Sequence, residues 1–297
     1  METYVVLNTD TTQLSRQVWL VLRRQGIGSS DAAACVGLSP WQSRYSLFCD
    51  KRGLTPLDGK QSPKFEWAIQ MEEPIYWQYL LDHGPEVIGT SDILRHHMLR
   101  STQYPWMTAN PDALVPGREV VEIKTAHGMD EKRWEEGIPT HYTIQAIHLM
   151  IVTGERHCIM PVSFGGQPPR YFHLDYDEDT AASLIAGELK FWQDVLDNVE
   201  PDPDGSQASM EAIRARFLDP IQGYSVEATS DILVDVEQYR VAANYAKEAT
   251  ADMNAAKARI MAYLGEAERL EHDGATLCTW RATKAGTRVL RFAEEKP

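Results

Sequence analysis

Apolar and polar residues alternate with two different periods along this chain, and each period predicts a different kind of element. The first part contains short amphipathic runs that predict three helices, LSRQVWLVLRR, SSDAAACVG and RYSLFCDKRG, with Gly37 and Gly53 as stops for the last two. A longer helical pattern begins at Pro63, a residue favoured in the first turn of a helix, and runs to about His83. The N-terminal part is therefore predicted to be helical.

The pattern changes near Glu86. Short runs rich in β-branched and aromatic residues predict strands, namely EVIGTSDIL, PWMTANPDALV, EVVEIKT, RHCIMPVSF and RYFHLDY. An apolar helix from about Thr140 to Thr153 interrupts them, and another helix follows from about Glu178 to Val199. This order predicts an α/β fold in which helices pack against a sheet.

The segment PDPDGS predicts a linker, so we expect a core of residues 1–205 and an appendage of residues 206–297. Within the appendage, apolar residues from Ile232 to Leu264 recur at helical spacing and predict one long helix. The runs TLCTWRA and TRVLRF alternate around KAG and predict a β-hairpin. The appendage is thus expected to be a long helix followed by a hairpin.

Composition narrows the class of protein. A hydrophobic fraction of 43% with eight Trp indicates a folded globular chain, and no 18-residue apolar run predicts a membrane span. The start METYVVLNTD lacks the pattern of a secretory signal, so a cytoplasmic location is expected. The cysteines are scattered without a C-x-x-C pair, which favours buried free thiols over a zinc ribbon or a disulfide framework: Cys35, Cys49, Cys158 and Cys278.

The net charge of −14 argues against a general affinity for nucleic acid. Residues 13–64 nevertheless carry eight Lys/Arg against three Asp/Glu, and residues 276–292 carry four Lys/Arg and no acid. These two basic islands fit a localised DNA track, with ordinary solvated surface as the alternative. They supply the candidate DNA contacts Arg24, Arg281 and Arg288, and Trp41 is a further candidate that would stack on a base unless it packs in the core.

The run ALVPGREVVEIK can be built as a hairpin with residues 116–118 as its connection. In that register Val115 lies opposite Glu119 and Asp112 lies opposite Glu122, and cross-strand partners have Cβ atoms about 4.5 to 5.5 Å apart. Two carboxylates are therefore predicted to converge.

Side-chain alternation adds a cation to this pair, because Lys124 shares a strand face with Glu122. Glu72 supplies a third acid, since it lies in the middle of the apolar face of its helix while Glu73 points about 100° away. A buried carboxylate requires a partner or a metal, and Mg²⁺ suits such oxygen ligands. The predicted chemistry is phosphodiester hydrolysis by a metal-activated water, and the alternative is an ordinary surface ion-pair cluster.

Gln145 is the exceptional polar residue of the apolar helix beginning near Thr140. It is predicted either to hydrogen-bond an active-site water or the strand bearing Lys124, or simply to be satisfied within the core. His148 on the same helix is interpreted as a packed histidine rather than a ligand.

These motifs resemble those of the YqaJ-like viral recombinase nucleases, relatives of lambda exonuclease within the PD-(D/E)xK superfamily. The resemblance spans roughly residues 23 to 200 and includes IGSSDAAACVGLSPW, WAIQMEEPI, NPDALV, VVEIKTA and YTIQAIHLMIVTG. It implies a restriction-endonuclease-like core, a central mixed sheet flanked by helices. It also implies a metal site for Mg²⁺, with Mn²⁺ as a substitute, and places its ligands and catalytic partners at Glu72, Asp112, Glu122, the Ile123 carbonyl, Lys124 and Gln145.

The resemblance further implies digestion of duplex DNA ends, in the 5′-to-3′ direction, for phage-type recombination. It puts Ser30 and Asp31 at the mouth that receives DNA, with simple N-capping as the alternative. Because relatives of lambda exonuclease encircle DNA, a processive trimeric ring working with a single-strand annealing protein is expected. The other functions considered are a CRISPR-adaptation or RecB-type nuclease, whose cysteine spacing does not fit, and a catalytically silent DNA-end-binding adaptor.

Overall fold

The computed structural model describes residues 3–57, 63–87 and 93–293. Its contacts divide the chain into two compact units, residues 1–220 and 221–297. The helices of the first unit are α1 Arg16–Arg23, α2 Ala32–Cys35, α3 Arg44–Lys51, α4 Pro63–Val87, α5 Glu131–Glu135, α6 Thr140–Thr153, α7 Glu178–Asp197 and α8 Gln207–Arg216. Its strands are β1 Tyr4–Asn8, β2 Ile27–Gly28, β3 Met98–Ser101, β4 Met107–Ala109, β5 Ala113–Val115, β6 Glu119–Val121, β7 Lys124–Ala126, β8 His157–Phe164 and β9 Arg170–Asp175.

The boundary between the units falls later than the linker at residue 205. Helix α8 packs on α3, and the Ser209 hydroxyl lies 2.7 Å from the Ser43 hydroxyl. Ala212 of α8 is buried with Tyr45 and Cys49 of α3. The first unit therefore includes α8, and the described boundary follows Pro220.

The helices follow the predicted pattern, with adjusted ends. Helix α4 begins at Pro63 and continues to Val87, beyond the expected stop, and α2 is only four residues long. Gly37 and Gly53, predicted as stops, have φ of +73° and +67°, which a residue with a Cβ rarely adopts.

The strands depart from the prediction in four places, two of which are single predicted runs that the structure divides, PWMTANPDALV into β4 and β5 and EVVEIKT into β6 and β7. The run EVIGTSDIL lies partly outside the described residues, and its Leu94 forms an isolated bridge with Leu114. The N-terminal part also contains strands where helices alone were predicted, since β1 pairs antiparallel with β3 and β2 pairs parallel with β4. Pairing with residues 80 to 97 positions away, as in Ile27 with Met107 and Tyr4 with Ser101, leaves no local signal, and Val5 and Val6 of β1 are exposed.

Two mixed sheets organise the first unit. One has the order β1-β3-β4-β2. In the other, β5 and β6 form an antiparallel hairpin, β6 and β7 run parallel to β8, and β9 pairs antiparallel with β8. Apolar residues on one face of this second sheet, such as Val120, pack with Ile147 of α6, while Val121 on the other face packs with Ile75 of α4. Helices thus cover both faces, as the predicted fold class requires.

The second unit contains the predicted long helix, α9 Ser230–Leu264, and the predicted hairpin, β11 Ala275–Ala282 with β12 Arg288–Phe292. A third strand, β10 Arg269–His272, extends the hairpin into a sheet. Leu264, Cys278 and Leu290 form the small core where this sheet covers the end of α9. Among the described residues, no helix combines the length and apolarity needed to cross a membrane. All four cysteines are buried free thiols, as predicted.

Candidate active site

The hairpin of β5 and β6 has the predicted register. Val115 pairs with Glu119, Leu114 with Val120 and Ala113 with Val121. Gly117 in its connection has a φ of +73°, so the turn requires a residue without a Cβ. Continued by one residue, the register sets Asp112 opposite Glu122.

The strand bearing Glu122 is interrupted there, and proline explains the interruption. Strands β6 and β7 keep one constant register along β8, in which Pro161 would lie opposite Ile123. The Glu122 N–H donates to the Ile159 carbonyl at 3.1 Å, but Pro161 has no N–H to donate back to the Glu122 carbonyl. The hydrogen-bond ladder therefore lapses for two residues, at the point where the reactive side chains stand.

A second proline acts on the other edge of the same strand. The hairpin register continued by two residues sets Pro111 opposite Ile123, and proline offers no ladder donor to the Ile123 carbonyl. The Ile123 N–H instead donates to Oδ2 of Asp112 at 2.6 Å. The Asp112 carboxylate is thereby fixed against the main chain of the strand that carries Glu122.

Glu122, Lys124 and Gln145 form a closed triangle of hydrogen bonds. Oε1 of Glu122 accepts from Nζ of Lys124 at 2.7 Å and from Nε2 of Gln145 at 2.6 Å, and Nζ also donates to Oε1 of Gln145 at 3.0 Å. Gln145 thus contacts Lys124, which corresponds to the predicted hydrogen bond with the strand bearing this lysine. The other carboxylate oxygen of Glu122, Oε2, is buried and has no hydrogen-bond partner in the described part of the chain.

The acids at this site disfavour each other's charge. Burial and the nearby charges of Glu122 and Glu72 raise the pKa of Asp112 well above its usual range. Burial and then Glu122 raise the pKa of Glu72 to about 7. Burial acts to lower the pKa of Lys124, but the charges of Glu122 and Asp112 outweigh it and raise that pKa. If all three carboxyl groups are ionised, the site has more negative charge than its single lysine neutralises.

Helix α4 brings Glu72 to the site, although its apolar stripe is buried only in part. Ile75 and Tyr79 are buried, whereas Ile69, on the same predicted stripe, is 45% exposed. Glu72 lies between these regions and is half-buried. Glu73 is exposed, as predicted, and forms an ion pair with Arg95.

Two residues at the site were absent from the sequence-based set. Arg95 donates from Nη1 to Glu73 at 2.7 Å and from Nε to the Asp112 carbonyl at 3.3 Å, and it stacks on Tyr76. Leu94 is partly buried and packs against the core beside Arg95, so strand alternation is the signal that would have turned Arg95 toward the site. His141 lies at the start of α6, and burial and then the charge of Lys124 lower its pKa.

His148 is a packed residue, in agreement with its interpretation from sequence. Its Nδ1 lies 2.8 Å from Glu188 and its Nε2 lies 2.9 Å from the carbonyl of Thr108. All of these groups are buried. His148 lies one helical turn after Gln145, and its hydrogen bonds to Glu188 and to the Thr108 carbonyl anchor α6 to α7 and β4. This anchoring keeps Gln145 facing Glu122.

The residues considered for DNA contact near the N-terminus differ in their surroundings. Asp31 is buried and pairs with Lys51 at 2.7 Å and with Arg23 at 2.8 Å. Ser30 is exposed and accepts from Arg23 at 2.6 Å, while Arg24 pairs with Asp50 at 3.0 Å. The basic island of residues 13–64 is therefore partly neutralised within the fold.

The aromatic and C-terminal candidates also differ. Trp41 is 75% exposed and contacts the ring of His141 edge to face, with the ring centroids 6.4 Å apart. Arg288 donates to the carbonyls of Gly265 and Ala267 and stacks on Trp280, so its guanidinium is engaged within the second unit. Arg281 is about half-exposed, at 3.6 Å from Glu268.

A mixed sheet covered by helices on both faces, with an acid, an E-x-K strand and a helical acid at one point, defines the PD-(D/E)xK class of fold. Solved structures of an alkaline exonuclease from Laribacter hongkongensis share the fold at 15% identity. The TM-score is 0.51 for one structure and 0.52 for a complex with dAMP, and each comparison covers 62% of this chain and 94% of that one.

The chain belongs to the family of the YqaJ-like viral recombinase domain, whose sequence profile matches residues 18–156. The uncharacterized protein YqaJ of Bacillus subtilis (strain 168) is 30% identical over 233 residues, which are 77% of this chain and 72% of that protein. The resemblance drawn from the motifs is thus confirmed. The profile includes the positions from Glu72 to Gln145 and ends long before Arg281 and Arg288.

Proposed function

We propose that this chain is a divalent-metal-dependent deoxyribonuclease that digests the ends of duplex DNA. The observation that carries the proposal is the buried Oε2 of Glu122, which lacks a donor beside an Asp112 whose pKa is raised. An unpaired buried carboxylate is costly, and a cation is the partner that satisfies both acids at once. Membership in a viral recombinase family supports this function, because recombination begins from processed DNA ends.

The residues present fit a small, hard cation. Mg²⁺, or Mn²⁺ as its substitute, would be held by Asp112, Glu122 and the Ile123 carbonyl, with Glu72 beside them. The Ile123 carbonyl is available because Pro111 has no N–H to donate to it. No cluster of three or more His, Cys, Asp or Glu side chains in metal-binding geometry occurs among residues 3–57, 63–87 and 93–293. This finding agrees with the proposed site, because Mg²⁺ is commonly held by only one or two carboxylates. A carbonyl, water molecules and the substrate phosphate would supply the remaining ligands.

The bound ion would supply an activated water and charge stabilisation at phosphorus. The side chains of the protein would position the attacking water and the phosphate. Glu122 and Gln145 hold the Lys124 ammonium, which would orient the attacking water and neutralise charge on the phosphate in the transition state. Gln145 keeps Glu122 in place, and no residue forms a covalent bond to the substrate.

The proposed substrate is duplex DNA with a free end. The solved fold relative is named an exonuclease and was captured with dAMP, the kind of product that stepwise digestion releases. Exposed Trp41 stands beside His141 at the start of α6, where it would stack on a base. Ser30, Asp31, Arg24, Arg281 and Arg288 are the further proposed contacts or supports of the DNA path, and Asp31 acts through Arg23 and Lys51.

We further propose 5′-to-3′ processive digestion by a trimeric ring that works with a single-strand annealing protein. The acidic net charge of −14 supports a topological hold on DNA, because broad electrostatic attraction is weak for such a chain. The test uses long linear duplexes labelled separately at each 5′ and 3′ end, digested with Mg²⁺ or with a chelator.

Early release of 5′ label as mononucleotides, only with the metal, is the expected result, and covalently closed circles should survive. Excess unlabelled competitor DNA added after the start should not stop digestion. Binding to ends without cleavage would support the adaptor alternative, and cleavage of closed circles would overturn the exonuclease proposal.

A further inference from the structure

Helix α9 has a row of mainly apolar side chains along one side, here called the seam, and most of this row is exposed. In this fully described helix, every residue from Ser230 to Ala255 is exposed, including Tyr239 at 76% and Met253 at 61%. The sheet of β10, β11 and β12 covers only the C-terminal end, around Ile260 and Leu264. A helix of 35 residues thus presents about seven turns of apolar surface without a partner over the first 26 residues.

The spacing of that surface is 3.5 residues rather than 3.6. Steps of four and three alternate without a break through Ile232, Val236, Tyr239, Ala243, Ala246 and, after Thr250, Met253. The same steps continue through Lys257 to Ile260 and Leu264. The spacing holds over four heptads, with Thr250 and Lys257 as its polar members, and such a repeat is the pattern of a coiled coil, because a helix packed on a flat sheet has no need of it.

We propose that α9 forms a parallel, in-register coiled coil with α9 of other copies of this chain. We infer that the partner of this surface is a second copy of the chain, because opposite charges beside the seam would then lie next to each other. Asp235 and Arg240 lie at positions on either side of the seam, five residues apart along the helix. In a parallel coiled coil, these two positions of neighbouring helices lie next to each other, so Asp235 of one copy would meet Arg240 of the other. Within one helix Arg240 lies 3.7 Å from Glu237, and its side chain is 70% exposed, so the guanidinium remains accessible to Asp235 of a neighbour.

The antiparallel arrangement is disfavoured by the same charges. In an antiparallel pair, Arg240 and Lys247 of one helix would lie beside the same two residues of the other helix. These like charges would repel each other. The polar seam members Thr250 and Lys257 fit one register and penalise shifted ones. Parallel helices also suit cyclic symmetry, in which all copies run the same way around one axis. This interface is independent of the proposed nuclease chemistry.

The matched pair Val236→Glu and Val234→Glu tests the seam in the full-length chain. Both positions are exposed valines of α9, but Val236 lies on the seam and Val234 lies off it. Multi-angle light scattering over a range of concentrations should give a multiple of 33.6 kDa for the wild type. Val236→Glu should raise the dissociation constant by at least about 100-fold, because it buries an unpaired charge, while Val234→Glu leaves it within about threefold. A monomeric wild type, or equal effects of both changes, would overturn the proposal.

Cysteine cross-linking tests the orientation. Met253→Cys on the seam should form a disulfide-linked oligomer under mild oxidation, whereas Ala255→Cys on the outer face should not, and the four native thiols are buried. In an antiparallel pair centred on the helix, Met253 would face the region of Val241, so failure of Met253→Cys to cross-link overturns the parallel register. Cleavage of linear DNA, measured in parallel, reports separately on the proposed nuclease function.

Discussion

At the scale of single residues, the site brings together acids that repel one another and one lysine that cannot neutralise them all. The convergence of Asp112, Glu122 and Lys124 could be predicted from sequence because hairpin register and side-chain alternation are local rules. Alternation beside Leu94 gives the direction of the Arg95 side chain, but its position at the site depends on the pairing of Leu94 with Leu114, and His141 is positioned by the packing of α6 against distant residues. The pKa shifts are likewise a product of burial, which the sequence does not show.

Replacing Lys124 by Ala should reduce cleavage at least about 100-fold, because in the proposed mechanism the lysine neutralises charge that develops at phosphorus. Lys132→Ala, an exposed lysine on α5, is the control and should retain full activity. Initial rates on linear duplex DNA with Mg²⁺ give the comparison. Thermal melting checks that both variants fold. A Lys124→Ala rate within tenfold of wild type would remove this residue from the proposed mechanism.

Glu72→Gln should stabilise the metal-free protein while it weakens metal-dependent cleavage. Its pKa in the fold is about 7, above the value near 4.3 of an unfolded glutamate, so ionised Glu72 destabilises the fold as pH rises between these values. The melting temperature should therefore rise at pH 8 and change little at pH 4.

Glu73→Gln is the matched control, because Arg95 lowers the pKa of Glu73 through a hydrogen bond and an ion pair. Its melting temperature should fall slightly or stay unchanged at pH 8, and its cleavage should persist. Equal effects of the two substitutions on cleavage would show that Glu72 has no special place at the site.

At the scale of elements, periodicity predicted the helices and the hairpins well because it records which face of each element is buried. It did not predict β1 or β2, whose partners lie far along the chain. It also gave EVVEIKT as one strand, whereas the ladder lapses between β6 and β7. Pro111 and Pro161 cause that lapse from either side, and their effect becomes visible only once the neighbouring strands and their register are known.

Asp31 ties three elements together, so Asp31→Asn should act on stability before it acts on DNA. Its carboxylate accepts from Arg23 of α1, the Gly28 N–H of β2 and Lys51 of α3. Breaking such a buried pair costs about 3 to 5 kcal/mol. Burial acts to raise the pKa of Asp31, but Lys51 and Arg23 outweigh it and hold that pKa well below its usual range.

The stability that Asp31 contributes is therefore present above the unfolded pKa, near 3.9, and is lost as pH falls below it. Urea unfolding at pH 7 and at acid pH measures this dependence. Asp50→Asn, which removes a more exposed partner of Arg24, is the control and should cost under about 1 kcal/mol. Equal losses for the two variants would contradict the structural role of Asp31.

At the scale of the whole molecule, an acidic chain must concentrate its DNA contacts. Arg281 is half-exposed, whereas Arg288 is engaged with backbone carbonyls of its own unit. Arg281→Ala should weaken DNA binding and lower the slope of log affinity against log salt by about 1. Arg288→Ala should lower the melting temperature instead. Fluorescence anisotropy at several salt concentrations separates these outcomes, and an unchanged slope for Arg281→Ala would exclude it from the DNA path.

The hydrogen bond from the Ile123 amide to Asp112 gives the protein an internal spectroscopic probe. An amide proton whose nitrogen lies 2.6 Å from a carboxylate oxygen resonates far downfield while that carboxylate is ionised and moves upfield when it is protonated. A single ¹⁵N-resolved peak would thus follow the charge state of Asp112 through a pH titration without any DNA. The same peak would shift when a diamagnetic ion such as Mg²⁺ is added, and Mn²⁺ would broaden it beyond detection.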